Sequence, residues 1–190
     1  MSDLENNTFW VEGEIESETI LPIVKNMMEL LNFDNPNQLG LLKTTKTKKP
    51  LKIYISSEGG CVTSGFMLID VMNRMKSEGF IVNTIAMGEV ASMASVILAN
   101  GSKGYRWAFP SSQIMIHEVS NIFVGDTSLN MKEILSEVEK LEVLNNSLFD
   151  SLAINTNKSL EIIREACSFD NKMNAEEALK FGLIDNIGVL

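Results

Sequence analysis

The chain reads as an α/β protein with one overlong helix. Three observations predict this. Strand-like and helix-like runs alternate from residue 51 to residue 99, 45% of the 190 residues are hydrophobic, and a helical apolar period persists from 129 to about 156. A chain of this length and apolar content buries one full core, so a single domain over 1–190 is expected.

Residues 8–11 predict a short strand, and 20–31 a helix with Ile20, Ile23, Val24, Met27, Met28 and Leu31 on one face. Residues 34–50 form a linker with Pro36, Gly40 and the stretch Lys43-Thr44-Thr45-Lys46-Thr47-Lys48-Lys49. A charged run of this kind usually faces water, and a docking or cleavage site is the alternative. The strand 51–56, helix 62–76, strand 82–87 and helix 92–99 follow, then strands over 104–109 and 114–117. The helix from Leu129 carries Ile134, Val138, Leu141, Leu148 and Leu152 near one face. At 1.5 Å per residue it extends about 40 Å, more than so small a body can cover, so a second subunit is expected to meet it. Asn174-Ala175-Glu176-Glu177 is a helix-start signal, Gly182 suits the stop, and 183–187 predicts a last short strand.

Charge and cysteine content exclude several classes. With 16 basic and 25 acidic residues the net charge is −9, the wrong sign for a surface that tracks phosphates, so no nucleic acid is expected. Cys61 and Cys167 form neither a zinc spacing nor a disulfide framework, which suits a reducing cytoplasm. Residues 1–7 are polar and acidic, unlike a signal peptide, and no apolar run approaches the roughly 18 residues a membrane span needs. A soluble cytoplasmic protein with no metal and no cofactor is expected.

Three residues have contexts suited to nucleophilic catalysis. Ser92 lies in Gly88-Glu89-Val90-Ala91-Ser92-Met93-Ala94, between a strand-like and a helix-like run. His117 ends Ile114-Met115-Ile116-His117 and is the only histidine. A serine hydroxyl needs a base to take its proton, and the base needs a carboxylate to orient it; Asp170 follows in order. The bland readings are a helix-capping serine, a core histidine and an aspartate capping a turn. Residues 53–62, Ile-Tyr-Ile-Ser-Ser-Glu-Gly-Gly-Cys-Val, predict a strand, a Gly-Gly turn and a helix start, where N–H groups favour negative charge; a plain tight turn is the alternative.

Three blocks together resemble the ClpP family, the serine peptidase subunits of the Clp proteases. They are Met87-Gly88-Glu89-Val90-Ala91-Ser92-Met93, Pro110-Ser111-Ser112-Gln113-Ile114-Met115-Ile116-His117, and the run from Ala175 to Asp185. The likeness runs from about Phe9 to Ile187, and the 25-residue step from Ser92 to His117 is the family's own. The resemblance implies Ser92 as nucleophile, His117 as general base, Asp170 as orienting carboxylate, and the N–H groups of Gly60 and Met93 as oxyanion hole. It implies a ClpP/crotonase-type spiral of βαβ units with a projecting handle over 118–156. It also implies heptameric rings, stacked as a tetradecamer, that receive unfolded polypeptide from a AAA+ unfoldase.

The chain departs from the pattern in places. Glu58 replaces the proline before Gly-Gly, putting a negative charge near a developing oxyanion unless it points to water. Glu118-Val119 and Asn121-Ile122-Phe123-Val124-Gly125 replace the usual segment after the histidine. Phe169 and Gln113 stand where arginines are common, so ring contacts are expected to differ. Only residues 1–7 precede the first strand, too few for a gating hairpin of the family's kind. Two other readings stay open: an inactive ring subunit that keeps the fold, and a crotonase-like acyl-CoA enzyme. Cys61 is an alternative nucleophile, though the single histidine is already matched to Ser92.

Overall fold

The computed structural model describes residues 2–3, 6–33, 48–119 and 130–188. Lys43–Thr47 of the lysine-rich stretch and the apolar Ile122, Phe123 and Val124 lie outside the described residues. The elements are β1 (Ser2–Asp3), β2 (Thr8–Ile15), α1 (Ser17–Phe33), β3 (Leu51–Gly60), α2 (Val62–Ser77), β4 (Val82–Ala91) and α3 (Met93–Ala99). There follow β5 (Arg106–Ala108), β6 (Gln113–Ile116), α4 (Met131–Thr156), α5 (Leu160–Cys167), β7 (Asn171–Asn174), α6 (Ala175–Phe181) and β8 (Asn186–Ile187).

The α/β class holds, with a sheet dominated by parallel strands. β2, β3, β4, β5 and β8 are parallel neighbours, with α1, α2 and α3 on the crossovers. β3 alternates: Leu51, Ile53, Ile55, Ser57 and Gly59 are buried while the residues between them are partly or fully exposed. β4 is buried through its first five residues, as a central parallel strand covered on both faces must be. α1 packs on α2 and α2 on α3, with Met27, Leu68, Met72, Val96 and Ile97 closing one core over Phe9, Ile53 and Val82.

β4 has two partners in succession. Thr84–Ala86 pair with β5, and Glu89–Ala91 pair with β6. Between these stretches Gly88 takes φ 65°, and the register against β3 jumps from Ile55↔Ala86 to Ser57↔Val90. This bulge turns the end of β4 away from β5, opening a place beside it for β6 and, antiparallel to that, β7.

The long helix begins two residues later than its apolar period suggests, at Met131. Asn130 caps it, its carboxamide accepting from Lys132 N and Glu133 N while the Glu133 carboxylate accepts from Asn130 N. Leu148, Phe149, Leu152 and Thr156 are the buried residues of α4, all in its last third; Met131, Leu135 and Val143 are 71%, 55% and 65% exposed. The helix is fastened at its base and stands clear of the core along its first half. Arg106, 1% exposed, contributes to the fastening. It gives Nε and Nη2 to the Asp185 carboxylate (2.8 and 2.6 Å) and Nη1 to the carbonyl of Asn155, near the end of α4 (2.9 Å).

Some expectations need correction. The N-terminal residues do form a short hairpin: Ser2 pairs with Phe9 and Asp3 with Thr8. Asn7, the residue before β2, takes the left-handed conformation (φ 52°). The helix expected from Ser92 starts at Met93, and β3 and β4 both run further than their apolar stretches, to Gly60 and Ala91. α5 and β7 were not foreseen. Their signals are weak: α5 spans only 8 residues, and β7 is the polar sequence Asn-Lys-Met-Asn, a strand only because β6 offers it an edge. α6 matches its expected signals, with the reciprocal Asn174–Glu177 cap and Gly182 at φ 97°. Among the described residues no helix is long and apolar enough to cross a membrane.

Candidate active site

The end of the β4–β6–β7 ladder gathers three residues that are far apart in sequence. Ala91 pairs with Met115, and Ser92 N then donates to the Met115 carbonyl (2.9 Å). Ile116 pairs with Asn171 across the antiparallel step, so the next residues out, His117 and Asp170, face each other. β4 and β6 are parallel, so their carboxyl ends open on one edge, where α/β sheets place their ligands.

The side chains complete what the backbone sets up. Ser92 Oγ lies 2.8 Å from His117 Nε2, and His117 Nδ1 lies 3.0 Å from Asp170 Oδ1. His117 is 23% and Asp170 65% exposed, so the carboxylate end of the series meets water in the isolated chain. Ser92 does not cap α3 with its side chain; its Oγ is turned to the histidine instead. Its backbone sits at φ 53°, ψ −128°, a region costly for a residue with a Cβ. Three bonds hold it there: its N–H to Met115, and Ser95 N and Oγ onto its own carbonyl (3.0 and 2.6 Å).

The Gly-Gly pair ends β3 rather than forming a free turn, and its first member packs directly on this serine. Gly59 takes φ 104°, and a Cβ on it would lie 2.6 Å from Ser92 Cβ and 3.2 Å from Met93 N. Gly60 takes φ 141°, and a Cβ there would strike the backbone of Ile15 on β2, 2.5 Å from its carbonyl oxygen. Both glycines are required by close backbone approach. Ser57, buried and missed by sequence reasoning, braces them. Its Oγ donates to the Gly13 carbonyl and accepts from Gly59 N (2.5 and 3.1 Å).

Met93 opens α3, where the first N–H groups lack intrahelical acceptors. Its buried side chain packs against Gly65 of α2. Met93 follows Ser92 directly at the start of α3, whereas Gly60 closes β3 against Ile15 of β2. Glu58 is exposed and lines an open cleft of about 590 Å³ with Gly13, Glu14, Ser57, Gly60 and Glu89, so its charge is solvated. Phe169 is 60% exposed and Gln113 is exposed.

The cysteines have separate fates. Cys61, exposed just past Gly60, has its thiol pulled below the ordinary range by hydrogen bonds with Ser64 and Thr63. Burial, helped by the charge of Glu118, pushes the Cys167 thiol up to about 12. The histidine is bonded to Ser92 and not to Cys61.

A sequence model of the Clp protease family matches residues 5–189. The ATP-dependent Clp protease proteolytic subunit of Carsonella ruddii (strain PV) is 33% identical over 193 aligned positions, covering 97% of this chain and 84% of the relative. A likeness of that extent, on an α/β sheet that brings a serine and the single histidine within hydrogen-bond distance, leaves one assignment: the chain belongs to the Clp protease family, as a serine-type endopeptidase.

Proposed function

We propose that the chain cleaves unfolded polypeptides and peptides through Ser92, His117 and Asp170, inside a chamber built from copies of itself. The bonded series Ser92–His117–Asp170 carries this reading. A neutral imidazole that donates from Nδ1 to Asp170 accepts at Nε2, so His117 takes the Ser92 proton as Oγ attacks the scissile carbonyl. The N–H groups of Gly60 and Met93 receive the oxygen as it gains negative charge. His117 then gives its proton to the leaving amine. In the second half-reaction it activates the water that releases the acyl-enzyme, and Ser92 regains its proton.

The long helix and the family support an assembly of several copies. The exposed apolar residues of α4 suit burial against another copy, in heptameric rings stacked in pairs. The Carsonella relative is named as the proteolytic subunit of an ATP-dependent protease, which supports a separate ATP-consuming partner; the family resemblance makes that partner a AAA+ unfoldase that feeds in unfolded chains. The reading places the protein in the cytoplasm.

The test pairs two measurements on one purified sample: sedimentation mass, and cleavage of a short fluorogenic peptide with fluorophosphonate labelling of Ser92. A ring-sized species that cleaves and takes the label is expected. A ring-sized species that does neither is an inactive ring subunit and overturns the proposal.

A further inference from the structure

We infer that Asn145 of α4 is a positioning residue for His117, acting through the backbone of Val119; the inference rests on the peptidase reading above. β6 ends at Ile116, one residue before the histidine, and the chain beyond is clamped from two sides. Glu118 N donates to the carbonyl of Cys167 at the end of α5 (2.8 Å). Val119 N donates to Asn145 Oδ1 (2.6 Å), and Asn145 Nδ2 returns a longer bond to the Val119 carbonyl (3.4 Å). One carboxamide therefore serves both polar groups of one residue, as a neighbouring strand would. The ladder stops where His117 begins, and this side chain continues it.

The adjacent residue on the same helix does something different. Asn146 Oδ1 accepts from Arg164 Nη2 of α5 (2.6 Å), and the Arg164 guanidinium lies over the Phe149 ring at 4.9 Å. Both asparagines tie α4 to the body, but Asn145 alone of the two reaches the segment beside the base. Without its acceptor, the Val119 N–H must find water, and residues 118–119 are held on the α5 side only. The imidazole has to stay within hydrogen-bond reach of Ser92 and Asp170 together, and a misplacement of about 1 Å in such a site costs on the order of 10²-fold in rate.

The experiment measures the rate of fluorophosphonate labelling of Ser92, with kcat and KM for a short peptide, in the intact chain. Asn145→Ala is expected to lower the labelling rate and kcat about tenfold with KM little changed. Asn145→Asp keeps the acceptor for Val119 N–H and should recover most of the rate, and Asn146→Ala should label like the wild type. Asn145→Ser, too short to reach Val119, replaces the alanine variant if that one does not fold. Wild-type rates in the Ala or Ser variant overturn the inference, as does an equal loss in Asn146→Ala, which would assign the effect to helix packing. A wild-type chain that takes no label overturns the peptidase reading itself, and this inference with it.

Discussion

The Cβ that Gly59 lacks would sit 2.6 Å from Cβ of Ser92 and 2.9 Å from the carbonyl of Ala91. The position of Ser92 is therefore set by an absence on the neighbouring strand. Gly59→Ala must move one backbone against the other and also force an alanine to φ 104°. We expect a loss of about 1–3 kcal/mol in stability and on the order of 10²-fold in peptide cleavage. Denaturant titration and kcat/KM measure the two losses. An alanine variant with wild-type kinetics would show that the serine does not depend on this contact.

Ser92 holds strained backbone for the sake of its hydroxyl. Ser92→Ala keeps the Cβ and the strain, so peptidase activity falls on the order of 10³-fold or more at nearly unchanged stability. Ser92→Gly removes activity equally but relieves the strain, and its thermal midpoint should rise by the equivalent of about 1 kcal/mol. Equal midpoints for the two variants would contradict the strain argument.

Asp170 meets His117 at 3.0 Å yet is 65% exposed. Asp170→Asn leaves the geometry in place and supports the wrong imidazole tautomer, so kcat should fall while KM holds. Water can partly replace so exposed a carboxylate. The expected loss is on the order of 10²-fold, smaller than for Ser92→Ala. A neutral result would point to another carboxylate.

The Arg106–Asp185 pair predicts a pH signature in stability rather than in chemistry. Burial pushes the Asp185 carboxyl up, but the hydrogen bonds and charge of Arg106 outweigh it and hold the carboxyl below its ordinary value. A carboxyl lowered on folding stabilises the protein fully above the ordinary value of about 3.9, and that contribution is lost as pH falls through the lower, folded-state value. Asp185→Asn leaves Arg106 buried without its counter-charge, which costs about 3 kcal/mol at pH 7. The gap between wild type and variant should close only under strongly acidic conditions. Denaturant midpoints across the acid range test this, and a gap independent of pH would refute it.

Alkylation of the native protein at neutral pH should modify Cys61 and spare Cys167. Cys61 is exposed with a thiol lowered by Ser64 and Thr63, whereas Cys167 is buried with a thiol near 12. Peptide mass analysis after iodoacetamide reads both sites. Equal modification would mean that the α5 end opens readily.

The sequence by itself determined the α/β class, the order of the main elements, the overlong helix, and the candidates Ser92, His117 and Asp170. Each rests on a local or composition-level property: the apolar period of β3 and α2, the capping box before α6, and a single histidine that leaves no second choice of base. Only the tertiary structure decided how those residues meet. β7 has no strand signal of its own, and it carries Asp170 to His117 because an antiparallel register against β6 makes Ile116 and Asn171 partners. The bulge at Gly88 gives β6 its place beside Ser92, and Asn145 reaches Val119 from a helix that the sequence read only as projecting. Register and inter-element hydrogen bonds join residues dozens of positions apart, and no local pattern encodes a distance of that kind.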